Sequence, residues 1–136
     1  MRVLALDYGS ARCGAAVSDP SGTLATPLEP VPQAGTRKGL KRVAQLVDEL
    51  GAERVVVGLP VSLAGGDSAQ TRETRAFAER LAVVVRVPVE LYDERFTTAL
   101  ARRAGGDAAL DSRAAAVLLD EWLNAGPGSA DRGGKE

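Results

Sequence analysis

The segment from Arg2 to Tyr8, RVLALDY, constrains the fold more than any other part of the chain. Its apolar run, Val3 to Leu6, is too short for a helix and does not alternate with polar residues, so it reads as a central strand buried on both faces. Such a strand needs a covering layer on each side, which points to an α/β architecture with helices on both faces of a sheet. The run ends on Asp7, which the two-residue period of a strand places on the face of Val3 and Ala5. A lone buried carboxylate is costly unless it is paired, hydrogen-bonded or metal-bound. From position alone, Asp7 is either a turn residue accepting N–H bonds from Gly9 or Ser10, or a functional group.

The remaining elements follow from turn chemistry and periodicity. Gly9 to Arg12 turns the chain, residues 13–18 return as a second strand, and Asp19-Pro20-Ser21-Gly22 fits a type I turn. A third strand over about 23–28 completes a meander, and Pro30, Pro32 and Gly35 mark Glu29 to Thr36 as a loop. Leu40, Val43, Leu46, Val47 and Leu50 recur at helical spacing up to a stop at Gly51. Arg54 to Val57 is a short buried strand, followed by a glycine-rich loop from Gly58 to Gly66. Asp67 and Gln70 resemble a capping box, opening a helix with Phe77, Ala78, Leu81 and Val84 inward. Val87 to Tyr92 is a fifth strand, with Pro88 near its start or on an edge. Thr97 or Thr98 caps a short helix ending at Gly105-Gly106, and a last helix spans about Ser112 to Asn124. The expected fold is therefore a mixed five-stranded sheet, an antiparallel meander followed by parallel strands, in one domain over residues 1–125. The tail, residues 126–136, reads as disordered.

Absent residue types narrow the chemistry. The 136 residues include no histidine, which removes Ser-His-Asp and Cys-His nucleophiles and histidine-containing zinc sites. The single cysteine, Cys13, cannot form an internal disulfide or a multi-thiolate site, which suits a reducing compartment. Carboxylates, hydroxyls, Lys and Arg are left to carry any catalysis. The net charge of -1 provides no global attraction for nucleic acid. Neither a signal peptide nor a membrane span is legible, so a cytoplasmic protein with no membrane partner is expected.

Three carboxylates stand where a purely structural sequence would place something else. Besides Asp7, Glu94 follows the strand ending at Tyr92, and ligands collect at such carboxyl ends of strands. The alternative for Asp93-Glu94-Arg95 is a solvated loop leading to a Thr-capped helix. Asp111 opens the helical stripe Asp111, Ala115, Leu118, Trp122, and its alternative is an N-cap. Two strand ends and a helix start beside one sheet would hold one divalent cation or a pair, and oxygen-only ligands suit Mg²⁺ or Mn²⁺. Arg12 and Arg95, each near one of these carboxylates, are candidate phosphate contacts, with surface ion pairs as the alternative. The loop opening at Gly58 is a candidate for backbone N–H contacts to phosphate or an ordinary strand-to-helix connection. Trp122 reads as core.

Four ordered motifs carry a family resemblance. Asp7-Tyr8-Gly9-Ser10-Ala11-Arg12-Cys13-Gly14, the Val57-Gly58-Leu59-Pro60 loop, Asp93-Glu94-Arg95-Phe96-Thr97-Thr98 and Asp111-Ser112-Arg113-Ala114-Ala115 resemble the successive motifs of the YqgF family, also called RuvX. The resemblance runs from about Val3 to Ala125. It implies an RNase H-like fold and a nuclease active in pre-16S rRNA processing or, by relation to other resolvases, on Holliday junctions. It also implies an acidic catalytic and metal-binding triad at Asp7, Glu94 and Asp111. Asp111 rather than Asp107 carries the Asp-x-x-Ala-Ala match. The connection from Ala99 to Leu110, longer and rich in Lys and Arg in the family, here offers only Arg102 and Arg103 for the substrate backbone. The expected partner is nucleic acid, an rRNA precursor or branched or single-stranded DNA, bound by a monomer or homodimer. A second enzyme reading, a sugar-kinase-type ATPase suggested by Asp7-Tyr8-Gly9, conflicts with the length, since such enzymes clamp nucleotide between two domains of this kind. A third is a non-catalytic binding module on a nuclease fold.

Overall fold

A computed structural model of the chain describes residues 1–60, 68–93 and 108–125. The strands are β1 (Val3–Asp7), β2 (Arg12–Ser18), β3 (Ala25–Pro32), β4 (Arg54–Leu59) and β5 (Val89–Asp93). The helices are α1 (Arg37–Leu50), α2 (Ala69–Val84) and α3 (Ala108–Ala125). They build one sheet in the order β3-β2-β1-β4-β5, antiparallel through β1, β2 and β3 and parallel through β1, β4 and β5. The mixed sheet and the central place of β1 are those the sequence predicts.

Alternation along the strands sorts side chains into two cores. Leu4, Leu6, Cys13, Ala15, Val55 and Val57 pack under α1 and α2. Val3, Ala5, Ala16 and Val56 pack under α3, against Ala115, Leu118 and Trp122. All of these side chains are fully buried. At about 25 cal/mol per Å² of apolar surface removed from water, this double covering is the main stabilisation of the fold.

Several boundaries differ from the sequence reading. The third strand begins at Ala25 and runs on through Glu29, Pro30 and Pro32, where a loop is predicted. As the outermost strand, β3 has one side without a ladder partner, so the missing proline N–H groups are tolerated there. A register shift opposite Cys13 and Ala15 accommodates the change. The α2 cap is Ser68 rather than Asp67, with Ser68 and Thr71 forming the reciprocal box. Val84, predicted inward, is 45% exposed and borders a hollow between the last turn of α2 and α1. The last helix starts at Ala108 rather than Ser112, so Asp111 has helical backbone and is not its N-cap. Asp67, the 61–66 loop, Thr97, Thr98, the short helix ending at Gly105-Gly106, Asp107 and the tail lie outside the described residues.

Helix α1 is charged against its own dipole. Thr36 caps it, and Gly51 ends it in the left-handed conformation, φ 66°, as predicted for a glycine stop. Gly39 in its first turn lies so close to the Gln33 carbonyl that any Cβ would collide with it. Yet Arg37, Lys38, Lys41 and Arg42 crowd the positive N-terminal end, while Asp48 and Glu49 stand at the negative end. Each such mismatch costs about 0.3–1 kcal/mol at an exposed site.

Candidate active site

Asp7 is the last residue of β1 and is 3% exposed, on the α3 face with Val3 and Ala5. Its neighbours across the sheet are small. On β2 its partner is Gly14. Along β4 the ladder runs as far as Leu6 with Val57, and one residue further sets Asp7 beside Gly58. Residues paired laterally share a face, so both strands flanking Asp7 contribute glycine, and no side chain, beside it. Gly58 pairs in turn with Tyr92 on β5, whose phenol burial pushes above its ordinary pKa, with Glu121 and Asp93 adding to the shift.

The first turn of α3 is fixed close to this row by Ser112, which is 2% exposed. Its hydroxyl donates to the Leu28 carbonyl at 2.5 Å and accepts from the Ala15 N–H at 3.4 Å. Ala15 and Leu28 face one another where the β2–β3 register shifts, so one side-chain oxygen engages both strands at an irregular point of the ladder. Ala15 adjoins Gly14, the partner of Asp7, and Asp111 adjoins Ser112. The backbone of Asp111 is thereby held near the carboxyl end of β1. Farther along α3, the stripe read from the sequence holds, with Ala115, Leu118 and Trp122 fully buried.

The opposite face of the same sheet end is closed. Tyr8 stacks on Phe77, with ring centroids 4.4 Å apart and 23° between planes. Burial, then Glu73 and Cys13, raise its phenol pKa, against a smaller opposing effect of Arg80. Arg12 opens β2 opposite Pro32, next to the tight Tyr8–Ala11 turn. The structure thus brings Asp7, Gly58, Arg12 and the Asp111 backbone to one end of the sheet. Glu94 follows directly on β5 in the chain but lies outside the described residues, as do Arg95, Arg102 and Arg103. Among the described residues no cluster of three potential metal ligands forms.

Sequence reasoning missed a second buried acid on the same face. Glu90, 6% exposed, accepts the Trp122 indole N–H at 2.9 Å and is ion-paired with Arg54. A charged residue inside the alternating run Val89-Glu90-Leu91 is the signal that could have marked it.

The comparisons with known proteins bear on the family and the fold. The RuvX family, described as Holliday junction resolvase, matches residues 1–125. A Leifsonia xyli protein named "Putative pre-16S rRNA nuclease" is 41% identical, over 90% of this chain and 84% of its own. Relatives of the same name from Streptomyces avermitilis and Desulforudis audaxviator are 44% and 37% identical, covering 90% and 91% of this chain and 85% and 94% of theirs. Among solved structures, Thermus thermophilus RuvC superposes with a TM-score of 0.60 at 20% identity, covering 96% of this chain and 98% of its own, a likeness of fold. With a mixed five-stranded sheet of the RNase H-like kind and a family match over nearly its whole length, the chain belongs to the RuvX family.

Proposed function

We propose that this chain is a divalent-metal-dependent nuclease that hydrolyses phosphodiester bonds in the 5′-end processing of pre-16S rRNA. The observation that carries the reading is Asp7: a carboxylate 3% exposed at a strand end, flanked by Gly14 and Gly58. Glu94, the residue after β5, and Asp111, in the first turn of α3, complete an all-oxygen donor set that fits a hard cation such as Mg²⁺ or Mn²⁺. Asp7, Glu94 and Asp111 would hold such a cation, which would supply Lewis acidity and a means of activating water.

The residues of the chain do the positioning. Asp7 presents its carboxylate from the most buried strand, which limits its motion, and Gly14 and Gly58 place no side chain in the strand positions beside it. Arg12, Arg95, Arg102 and Arg103 are assigned to the phosphate backbone, where guanidinium groups bind bidentately. The reaction is assigned to the cytoplasm, and no helix among the described residues is long and apolar enough to cross a membrane. A second substrate, the four-way DNA junction, is favoured by the family description and by the likeness to RuvC solved with a Holliday junction substrate.

The test uses Asp7→Asn, which keeps the side chain's shape and removes its charge. Wild type should cleave a pre-16S rRNA 5′ fragment or a four-way junction in Mn²⁺, and the variant should lose at least about a hundredfold. Mn²⁺ should also raise the Tm of wild type by mass action, and the variant should lose that rise. Cleavage and Mn²⁺ stabilisation both intact in Asp7→Asn would overturn the site.

A further inference from the structure

The charges on α1 oppose local stability, yet they form one surface. Arg37 and Lys41 lie one helical turn apart, as do Lys38 and Arg42, so the N-terminal half of α1 carries two like-charge i,i+4 rows side by side. Each row begins in the first turn, with Arg37 and Lys38 at the positive end of the helix dipole. Among the described residues only Arg42 of the four meets a carboxylate, Glu49 at 3.5 Å, and both side chains are well exposed. The first row, joined by Arg80 of α2, borders a hollow of about 550 Å³. The second borders another of about 580 Å³ beside Gln33 and Thr36. Among the described residues no acidic side chain lines either hollow.

The topology places this surface at the same sheet end as Asp7. Strands β1 and β3 each run antiparallel to β2, so they run the same way, and α1 starts just past the end of β3. The Gln33 N–H donates to the Ala11 carbonyl at 3.0 Å, which ties the approach to α1 to the β1–β2 turn. Arg12, opposite Pro32, lies between the two regions. A path from Asp7 over this turn therefore meets Arg12 and then the α1 cations.

We infer that the N-terminal half of α1, through Arg37, Lys38, Lys41 and Arg42, is a second contact for the phosphate backbone of the nucleic-acid substrate, on the far side of the β1–β2 turn from Asp7. The inference rests on the nuclease reading above and extends it to a surface. A polyanion lying here would relieve the i,i+4 repulsion in both rows and the dipole mismatch at Arg37 and Lys38, which gives the four cations a role. In a chain of net charge -1 this local concentration would also set the direction from which a strand approaches.

The experiment replaces all four, Arg37→Gln, Lys38→Gln, Lys41→Gln and Arg42→Gln, in the full chain. Glutamine keeps good helix propensity and removes the repulsion, so Tm should stay level or rise. Binding of a labelled single-stranded RNA, followed by anisotropy in EDTA across a KCl series, should weaken about tenfold or more at low salt. The slope of log K against log salt should shrink by roughly 2 to 3, at about 0.7 for each phosphate that the variant no longer neutralises. An unchanged Kd, or a weaker one with an unchanged slope, would overturn the inference. So would displacement of the RNA by poly-glutamate as effective as by unlabelled RNA of equal charge, which would identify an acidic protein as the partner instead. The two readings fail separately: cleavage retained by Asp7→Asn, with binding still weakened and its salt slope reduced in the α1 variant, removes the catalytic site and leaves the strand contact.

Discussion

Asp7 and Glu90 are both acids buried on the α3 face of the sheet, yet their surroundings differ. Glu90 stands in the row Ala16, Ala5, Val56, Glu90, and its charge is met by Arg54 on β4 and by the Trp122 indole N–H on α3. Asp7 stands one row nearer the sheet's end, between glycines, beside the first turn of the same helix. The first arrangement compensates a charge with neighbours that bind β4, β5 and α3 together. The second sets glycines in the strand positions on either side of the acid. Burial alone therefore does not assign a role to either acid; the residues paired beside each one are what separate their surroundings.

The comparison breaks if the two acids respond alike to mutation. Asp7→Asn should produce the largest change in activity, a loss of about a hundredfold or more, with only a small shift in metal-free Tm. Glu90→Ala should do the reverse. Leaving Arg54 and the indole without their acceptor costs about 3–5 kcal/mol, on the order of 10–15 °C in Tm for a domain of this size, while specific activity well below Tm persists. Thermal denaturation and cleavage measured on both variants check the pair; a Glu90→Ala protein with wild-type Tm would mean that Glu90, Arg54 and Trp122 hold nothing together.

Ser112→Ala sharpens the contrast, because Ser112 ties α3 to the sheet on the Asp7 side. Loss of its hydroxyl should cost about 1–3 kcal/mol by leaving the Leu28 carbonyl and Ala15 N–H without it. Cleavage should fall as well, since Asp111 is the adjacent residue; hydrogen exchange at Ala15 and steady-state kinetics together test this. The smallest effect is at Asp19, part-buried in the β2–β3 turn and far from either acid. N–H groups of Leu24 and Thr23 and the Ser21 hydroxyl hold its carboxyl well below the usual range. A depressed folded pKa contributes stability that is present above the unfolded value, about 3.9, and lost as pH falls through the folded value. Asp19→Asn should therefore flatten the acid limb of a Tm-against-pH curve and leave cleavage at neutral pH unchanged.

How much of this was legible in the sequence depended on whether the deciding partner was near in the chain. Strand β1, the Gly51 stop and the α3 stripe follow from local patterns, and each lies where the pattern puts it. The outer half of β3 did not, because Pro30 and Pro32 argue against a strand until its edge position is known. Glu90 was hidden for a similar reason: in a run beginning after Pro88 it passes for a solvent-facing residue, and Arg54 and Trp122 are distant in sequence. The acidic residue at the end of β1 was visible because an apolar run stops on it. Its glycine flanks emerged only from the register, although Gly14 and Gly58 both fall within the motifs that suggested the family.

The central position of β1 also bears on how the polypeptide emerges from the ribosome. β1, β2 and β3 are adjacent both in sequence and in the sheet, so the meander can pair as soon as it is made. The other edge of β1, with Val3, Leu4, Ala5 and Leu6, has no partner until Arg54 to Leu59 has been synthesised. Through that interval the nascent chain exposes an apolar strand edge of the kind that recruits wrong partners, and α1 is the segment made while it waits. Slow translation at any point before Arg54 to Leu59 has cleared the ribosome would prolong that exposure.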